Sequence, residues 1–154
     1  MLGNTAVMGE QTDTGADSDP SARLWRLEQI EGIRQLKARY FRAVDSKDWD
    51  LLASVFTEDA VLEVAGNSRN GRDEILHVMS TRLAELTTVH HGHMPEITIL
   101  DDRTATGIWA MEDLLAGPDG TRHGYGHYHE RYQLHGDAWR ICHLRLVRID
   151  LPVV

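Results

Sequence analysis

The stretch LWRLEQIEGIRQLKARYFRAV, residues 24–44, is the clearest structural signal in the chain. Its apolar side chains recur at steps of three and four residues from Leu24 to Val44. This spacing places them on one face of an α-helix. The pattern predicts a single long amphipathic helix over residues 22–46.

The segments that flank this helix complete the helical part of the domain. Residues 1–21 are rich in Gly, Thr, Asp and Ser and have no apolar period, which predicts a disordered tail. Asp48 is predicted to cap a short helix whose apolar side carries Leu52 and Val55. A third helical period covers residues 72–86. Residues 22–154 are therefore predicted to form a single domain.

The remaining sequence favours β-structure. Ala60–Val64 predicts an early strand, and residues 67–71 predict a turn. Residues 94–100 with 104–115, and 121–134 with 138–151, predict two hairpins joined by the turn Gly117–Gly120. Three helices with one early strand, followed by a four-strand meander, indicate an α+β domain. We expect a cone-shaped, curved antiparallel sheet packed on the three helices.

Composition limits the classes of partner. The 154 residues carry 16 Lys and Arg against 24 Asp and Glu, a formal net charge of -8, which argues against nucleic acid as a partner. There is no apolar run of about 18 residues, so no membrane-spanning helix is expected. The start of the chain lacks the pattern of a secretory signal, and Cys142 is the single cysteine. These features predict a cytoplasmic protein.

Strand alternation separates the candidate pocket residues. Trp109, Met111 and Asp113 share one face of their strand, and His127, His129 and Arg131 share one face of the next strand. If the sheet curls around a pocket, these two sets would supply the mixture of apolar and polar groups that is typical of a small-molecule site.

A wider pattern resembles the SnoaL-like branch of the nuclear transport factor 2-like superfamily. It extends over roughly residues 24–150. Its members are Ile33, Leu36, Tyr40 and Asp45, then Trp49, Asp50, Leu52, Phe56, Thr57, Asp59 and Ala60, then HHGHMP (90–95), ATGIWAMED (105–113), GHYHERY (126–132) and WRI (139–141).

Within that superfamily the chain is most similar to cofactor-free lyases: bile-acid 7-alpha-dehydratase, hexachlorocyclohexane dehydrochlorinase and scytalone dehydratase. The resemblance places Asp45 and His90 on the catalytic His–Asp pair of those enzymes. It places Tyr40 on a pocket tyrosine and Asp113 on an acid of an inner strand. The arginine that the dehydrochlorinase carries on a long strand has no clear match, with Arg131 or His135 nearby.

The resemblance implies a lyase, dehydratase or isomerase that needs no cofactor and acts on a hydrophobic cyclic molecule of steroid, terpenoid or polyketide type. His90 would be the base, Asp45 its orienting partner, Tyr40 a hydrogen-bond donor and Asp113 a second polar group. The pocket would be shaped by Phe41, Trp109, Met111, His127, His129 and Arg131.

Two other functions stay open at this point. The same fold could bind a small hydrophobic ligand without transforming it. A metal-dependent enzyme could use His127 and His129 with His91 or His93, although the leading hypothesis needs no metal. We also expect a homo-oligomer, a dimer or trimer, assembled through a convex sheet face that carries Tyr128, Glu130 and Tyr132.

Overall fold

The computed structural model describes residues 19–150, in which three helices lie against one sheet. The helices are α1 (Pro20–Ser46), α2 (Trp49–Val55) and α3 (Arg72–Leu83). Helix α1 begins two residues before the predicted start, because Asp19 caps it by accepting from the Ser21 amide at 3.2 Å and Pro20 occupies the first turn. Residues 1–18 of the predicted disordered tail lie outside the described residues.

The predicted cap of the second helix is confirmed. The Asp48 side chain accepts a hydrogen bond from the Leu51 amide at 2.9 Å. Between the two helices Lys47 adopts a left-handed conformation, with φ of 60°, and its amide closes the end of α1. Helix α3 stops at Leu83, three residues before the predicted end.

Six strands form the sheet: β1 (Phe56–Val64), β2 (Asn67–Asn70), β3 (Thr87–Ile99), β4 (Thr104–Gly117), β5 (Gly120–His135) and β6 (Ala138–Arg148). Their spatial order is β2-β1-β6-β5-β4-β3. All neighbours run antiparallel except β1 and β6, which are parallel, so the sheet is mixed and not wholly antiparallel as predicted. The predicted turn at residues 67–71 is largely strand β2.

The predicted α+β class is confirmed: three helices pack on a curved sheet that does not close. The core lies between α1 and the sheet, where Ile33 and Val44 meet Ile141 and Leu144, all with no exposed surface. Burial of these side chains is the main term that holds the layers together. Within residues 19–150, no helix combines the length and the apolar character needed to cross a membrane.

The hairpin of β4 and β5 sets which side chains face inward. Gly117 pairs with Gly120 across a two-residue turn, so each odd-numbered residue of β4 stands opposite an even-numbered residue of β5. Paired residues of antiparallel strands share a face. Trp109 is buried opposite Tyr128, which is buried too.

The prediction for the faces of β5 was therefore wrong. Tyr128, Glu130 and Tyr132 are buried on the inner face, so they do not supply the convex assembly face. His127, His129 and Arg131 lie on the opposite, outer face and do not line an inner pocket.

Candidate active site

A histidine and an aspartate from distant parts of the chain meet where α1 ends and the sheet begins. The Nδ1 atom of His90, in β3, lies 2.7 Å from Oδ1 of Asp45, in the last turn of α1. The His90 amide donates to Asp45 Oδ2 at 2.9 Å. Two contacts from one residue to both carboxylate oxygens fix the imidazole relative to the acid.

Further groups hold the Asp45 carboxylate in its charged form. Thr88 Oγ1 donates to Asp45 Oδ1 at 2.9 Å, and Lys47 Nζ donates to Thr88 Oγ1 at 2.8 Å. Burial by itself would raise the pKa of Asp45, but the hydrogen bonds from His90 and Thr88 outweigh it and the pKa is lowered. A charged Asp45 accepts the Nδ1 proton of His90, which leaves Nε2 free to accept a proton.

His90 lines a partly open cavity of about 150 Å³ that lies between α1, α3 and the sheet. Apolar atoms make up most of the surface of its wall, although half of the sixteen lining residues are polar. The apolar lining residues are Leu62, Val64, Val78, Met79, Leu83, Leu115, Leu144 and Leu146. The polar ones are Tyr40, Asn67, Arg69, Arg82, His90, Asp113, Tyr128 and Arg148. An apolar cavity with a few convergent polar groups is the composition of a small-molecule site.

Two tyrosines that line this cavity are protonated. Tyr40 and Tyr128 both line it, and their rings meet edge to face with centroids 6.1 Å apart. Burial, reinforced for Tyr40 by the nearby Glu130 carboxylate, raises the pKa of both phenols above the ordinary value. They therefore remain hydrogen-bond donors at neutral pH.

Asp113 also lines the cavity, where it pairs with an arginine that sequence analysis missed. Arg148 Nη1 donates to Asp113 Oδ1 at 2.8 Å, and Nη2 donates to Oδ2 at 2.6 Å. The hydrogen bonds that Arg148 donates to Asp113 raise the pKa of Arg148. Both residues also line an adjoining open groove of about 390 Å³.

The alternation of buried and exposed residues along β6 indicates which face of the strand carries Arg148. A bulge at Cys142 interrupts the pairing of β6 with β5, since Arg131 pairs with His143 and Tyr132 with Ile141. Beyond the bulge, Leu144 and Leu146 are buried, and Arg148 is the next residue on the same face. Arg131 and His135, the residues considered for the arginine's place, do not line the cavity.

Three predicted pocket residues pack around the site without lining the cavity. The Phe41 ring meets Tyr40 at 5.5 Å between centroids, and Trp109 Nε1 donates to the Tyr132 hydroxyl at 2.8 Å. Met111 Sδ lies 3.9 Å from Arg148 Nη1. These side chains support the residues that do line the cavity.

A buried ion pair lies next to the two tyrosines and was also missed. The Lys37 ammonium donates to the Glu130 carboxylate, and both side chains are fully buried. Lys37 Nζ stands over the Tyr128 ring at 3.7 Å and over the Tyr40 ring at 4.1 Å, and Tyr132 donates to Glu130 at 2.6 Å. Burial lowers the pKa of Lys37, and the charge of Glu130 opposes that shift.

The histidines outside the cavity do not assemble into a metal centre. Among residues 19–150, no group of three or more His, Cys, Asp or Glu side chains is placed to hold a metal ion. His123 Nε2 instead lies 3.3 Å from Glu112 Oε1, with His93 at 4.0 Å from the same carboxylate. The metal alternative therefore lacks a donor set within this part of the chain.

Comparison with known proteins gives a family and a fold. Residues 25–145 match the model of the SnoaL-like domain. The structure resembles a protein of unknown function from Mycobacterium tuberculosis with a TM-score of 0.77 and 28% identity, over 86% of this chain and 78% of that one.

Two further structures share the fold at lower identity. A candidate scytalone dehydratase from Novosphingobium aromaticivorans has a TM-score of 0.75 and 18% identity, over 81% of this chain and 87% of that one. A type 3 hexachlorocyclohexane dehydrochlorinase from Novosphingobium barchaimii has a TM-score of 0.74 and 20% identity, over 82% of this chain and 90% of that one.

Proposed function

Since the chain belongs to the SnoaL-like domain family, we propose that it is a lyase that eliminates water or another small leaving group from a hydrophobic cyclic molecule, without a cofactor. The single observation that carries the proposal is that His90 lines an apolar cavity while its Nδ1 is hydrogen-bonded to Asp45. The dehydratase and dehydrochlorinase neighbours support this class of reaction.

His90 is the proposed base. With Nδ1–H held by the Asp45 carboxylate, Nε2 takes a proton from a carbon of the substrate, and Asp45 stabilises the imidazolium that forms. The electrons of the broken C–H bond form a double bond to the adjacent carbon, and the leaving group departs from that carbon with its electron pair.

Arg148 and Tyr40 are the proposed partners of the departing group. Two of the five N–H donors of Arg148 bind Asp113, and about one-third of the Arg148 side chain is still exposed. Its charge stabilises an anion as it develops. The protonated Tyr40 hydroxyl donates to a carbonyl or to a leaving oxygen. When the group leaves as hydroxide, the proton that completes water comes from Tyr40 or from the His90 imidazolium.

The size of the cavity favours a small substrate body. Drug-sized ligands occupy clefts of about 300–1,000 Å³, whereas an apolar cavity of about 150 Å³ accommodates a molecule such as benzene. The cavity here is about 150 Å³. We therefore expect one apolar ring inside it, and we favour monocyclic terpenoid or polyketide-like substrates over a steroid skeleton.

The test is a screen of monocyclic β-hydroxy ketones for elimination, followed by absorbance of the enone product. His90→Ala and Asp45→Asn should lower kcat/KM by about 10²–10⁴-fold, the usual contribution of a positioned base. His91→Ala is the matched control, because His91 is the next residue of β3 and is exposed. It should leave turnover within about twofold.

The same variants separate catalysis from simple binding. A chain that binds these compounds, never converts them, and keeps its affinity after His90→Ala would be a carrier, and the proposed function would be wrong. Unchanged turnover in Asp45→Asn would remove Asp45 from the mechanism.

A further inference from the structure

We infer that the natural ligand carries an anionic group, such as a carboxylate, which Arg69 and Arg82 bind at the wall of the cavity. The inference rests on the cavity of the proposed function and adds a charge to the substrate class. It depends on two arginines, one from β2 and one from α3, that line the cavity beside its apolar residues.

Arg69 lies on the inward side of the edge strand β2. It pairs with Leu62 of β1, and Asn67 pairs with Val64. Paired residues share a face, and all four line the cavity. Arg69 is half-buried. Its Nη1 donates to the Ser68 carbonyl at 3.0 Å and its Nε lies 3.7 Å from Glu74 Oε1, which leaves the Nη2 donors available.

Arg82 lies in the last turn of α3, where it lines the cavity and remains exposed. Val78 and Met79 precede it by four and three residues, Leu83 follows it, and all of them line the cavity together with Arg82. Its side chain has no hydrogen-bond or ion-pair partner among residues 19–150. An arginine with no protein partner on the wall of an apolar cavity has its five donors available for a ligand.

The charge of the cavity wall is opposite to that of the molecule. Arg69, Arg82 and Arg148 line the cavity with Asp113 as the single carboxylate, whereas the whole chain has a formal net charge of -8. Arg148 neutralises Asp113. Among the described residues, Arg82 has no acidic partner, and Arg69 has only the partly exposed Glu74 at 3.7 Å. A carboxylate is the group that guanidinium binds with two parallel hydrogen bonds.

The experiment compares two probes that differ in charge alone: 3-phenylpropionate and 3-phenylpropanamide, titrated calorimetrically into the full chain. Each has one ring, which suits the cavity volume. We expect the acid to bind at least tenfold more tightly than the amide. Arg69→Gln and Arg82→Gln should each weaken acid binding about 3- to 10-fold and change amide binding less than twofold.

Arg34→Gln is the control, because Arg34 is an exposed arginine of α1 that does not line the cavity. It should leave both affinities unchanged. An acid that binds no more tightly than the amide, including the case in which neither binds, would overturn the inference, as would equal losses in Arg34→Gln and Arg82→Gln.

The same titration distinguishes this inference from the proposed function. The His90→Ala variant should lose turnover by the factor given above and still bind the acid more tightly than the amide. If the chain prefers the acid but never eliminates any leaving group, the anion subsite stands and the lyase proposal fails.

Discussion

Arg148 and Asp113 form a bidentate ion pair, and the aspartate depends on the arginine more than the arginine depends on the aspartate. Asp113 is 3% exposed, while 35% of the Arg148 side chain reaches the surface. Without Arg148 the carboxylate would be buried with no cation beside it, whereas the arginine could turn towards water.

Removing either partner should therefore have unequal effects. Arg148→Gln should lower the free energy of unfolding by about 2–3 kcal/mol, because it strands a buried carboxylate. Asp113→Asn should cost less. In urea unfolding, the double variant should be more stable than the sum of the single losses by about 1 kcal/mol. Strict additivity would show that the pair is not coupled.

Gly124 gives this ion pair its space. A Cβ atom at that position would lie 2.2 Å from Arg148 Nη1 and 2.3 Å from Asp113 Oδ1. Gly124→Ala should thus force the pair apart and cost about 1–3 kcal/mol of stability, measured by urea unfolding. Added to the Arg148→Gln/Asp113→Asn background, the same alanine should cost clearly less, and an equal cost in both backgrounds would contradict the steric explanation.

The Lys37–Glu130 pair should be far more sensitive to mutation than an ion pair at the surface. Glu130→Gln leaves the Lys37 ammonium buried without its counter-charge, which should lower the free energy of unfolding by about 3–5 kcal/mol. The control is Glu58→Gln, which removes the exposed contact of Glu58 with Arg72 at 3.9 Å. That change should stay below about 0.5 kcal/mol.

A double variant of the ion pair keeps this prediction testable if Glu130→Gln fails to fold. The double change Lys37→Met and Glu130→Leu removes both charges and retains apolar volume. It should recover most of the lost stability in the same urea measurement. A double variant as unstable as Glu130→Gln would mean that the pair matters through its shape and hydrogen bonds to Tyr132.

The stability contributed by Asp45 should depend on pH. Its pKa is lowered in the folded chain, so its hydrogen bonds stabilise the fold above the ordinary aspartate pKa of about 3.9 and lose that effect as pH falls through the lower folded value. Asp45→Asn should cost about 1–2 kcal/mol at pH 7. The difference in the free energy of unfolding between Asp45→Asn and the unmodified chain should shrink when urea unfolding is repeated near pH 3. A difference that stays constant would contradict the prediction.

The helices and the Asp48 cap could be predicted because their signals are local. Apolar spacing in residues 24–44 reports one face of a helix, and a capping aspartate acts within three residues of itself. Strand β2 was missed for the opposite reason. Its sequence, NSRN, has no apolar alternation, and it forms because β1 offers a free edge.

The residues of the candidate site also fall into those that a local motif predicts and those that it does not. Asp45 and His90 could be named from their separate motifs, and the structure brings them within hydrogen-bond distance. Lys37 could not be assigned a partner, since Glu130 is 93 residues away and the register of four strands decides that they meet. The faces of β5 follow from the length of the turn at Pro118 and Asp119, because a two-residue turn fixes which residues of β4 and β5 pair.

That two-residue turn restricts how the hairpin can change length over evolution. An insertion of one residue that shifted the register would exchange the two faces of β5. His129 and Arg131 would enter the core, Glu130 would leave it, and Lys37 would remain inside alone. Insertions of two residues would keep every face in place, as would a longer loop that leaves the pairing of β4 with β5 unchanged. The insertion that the fold excludes is therefore the single residue taken up by the strand pairing itself.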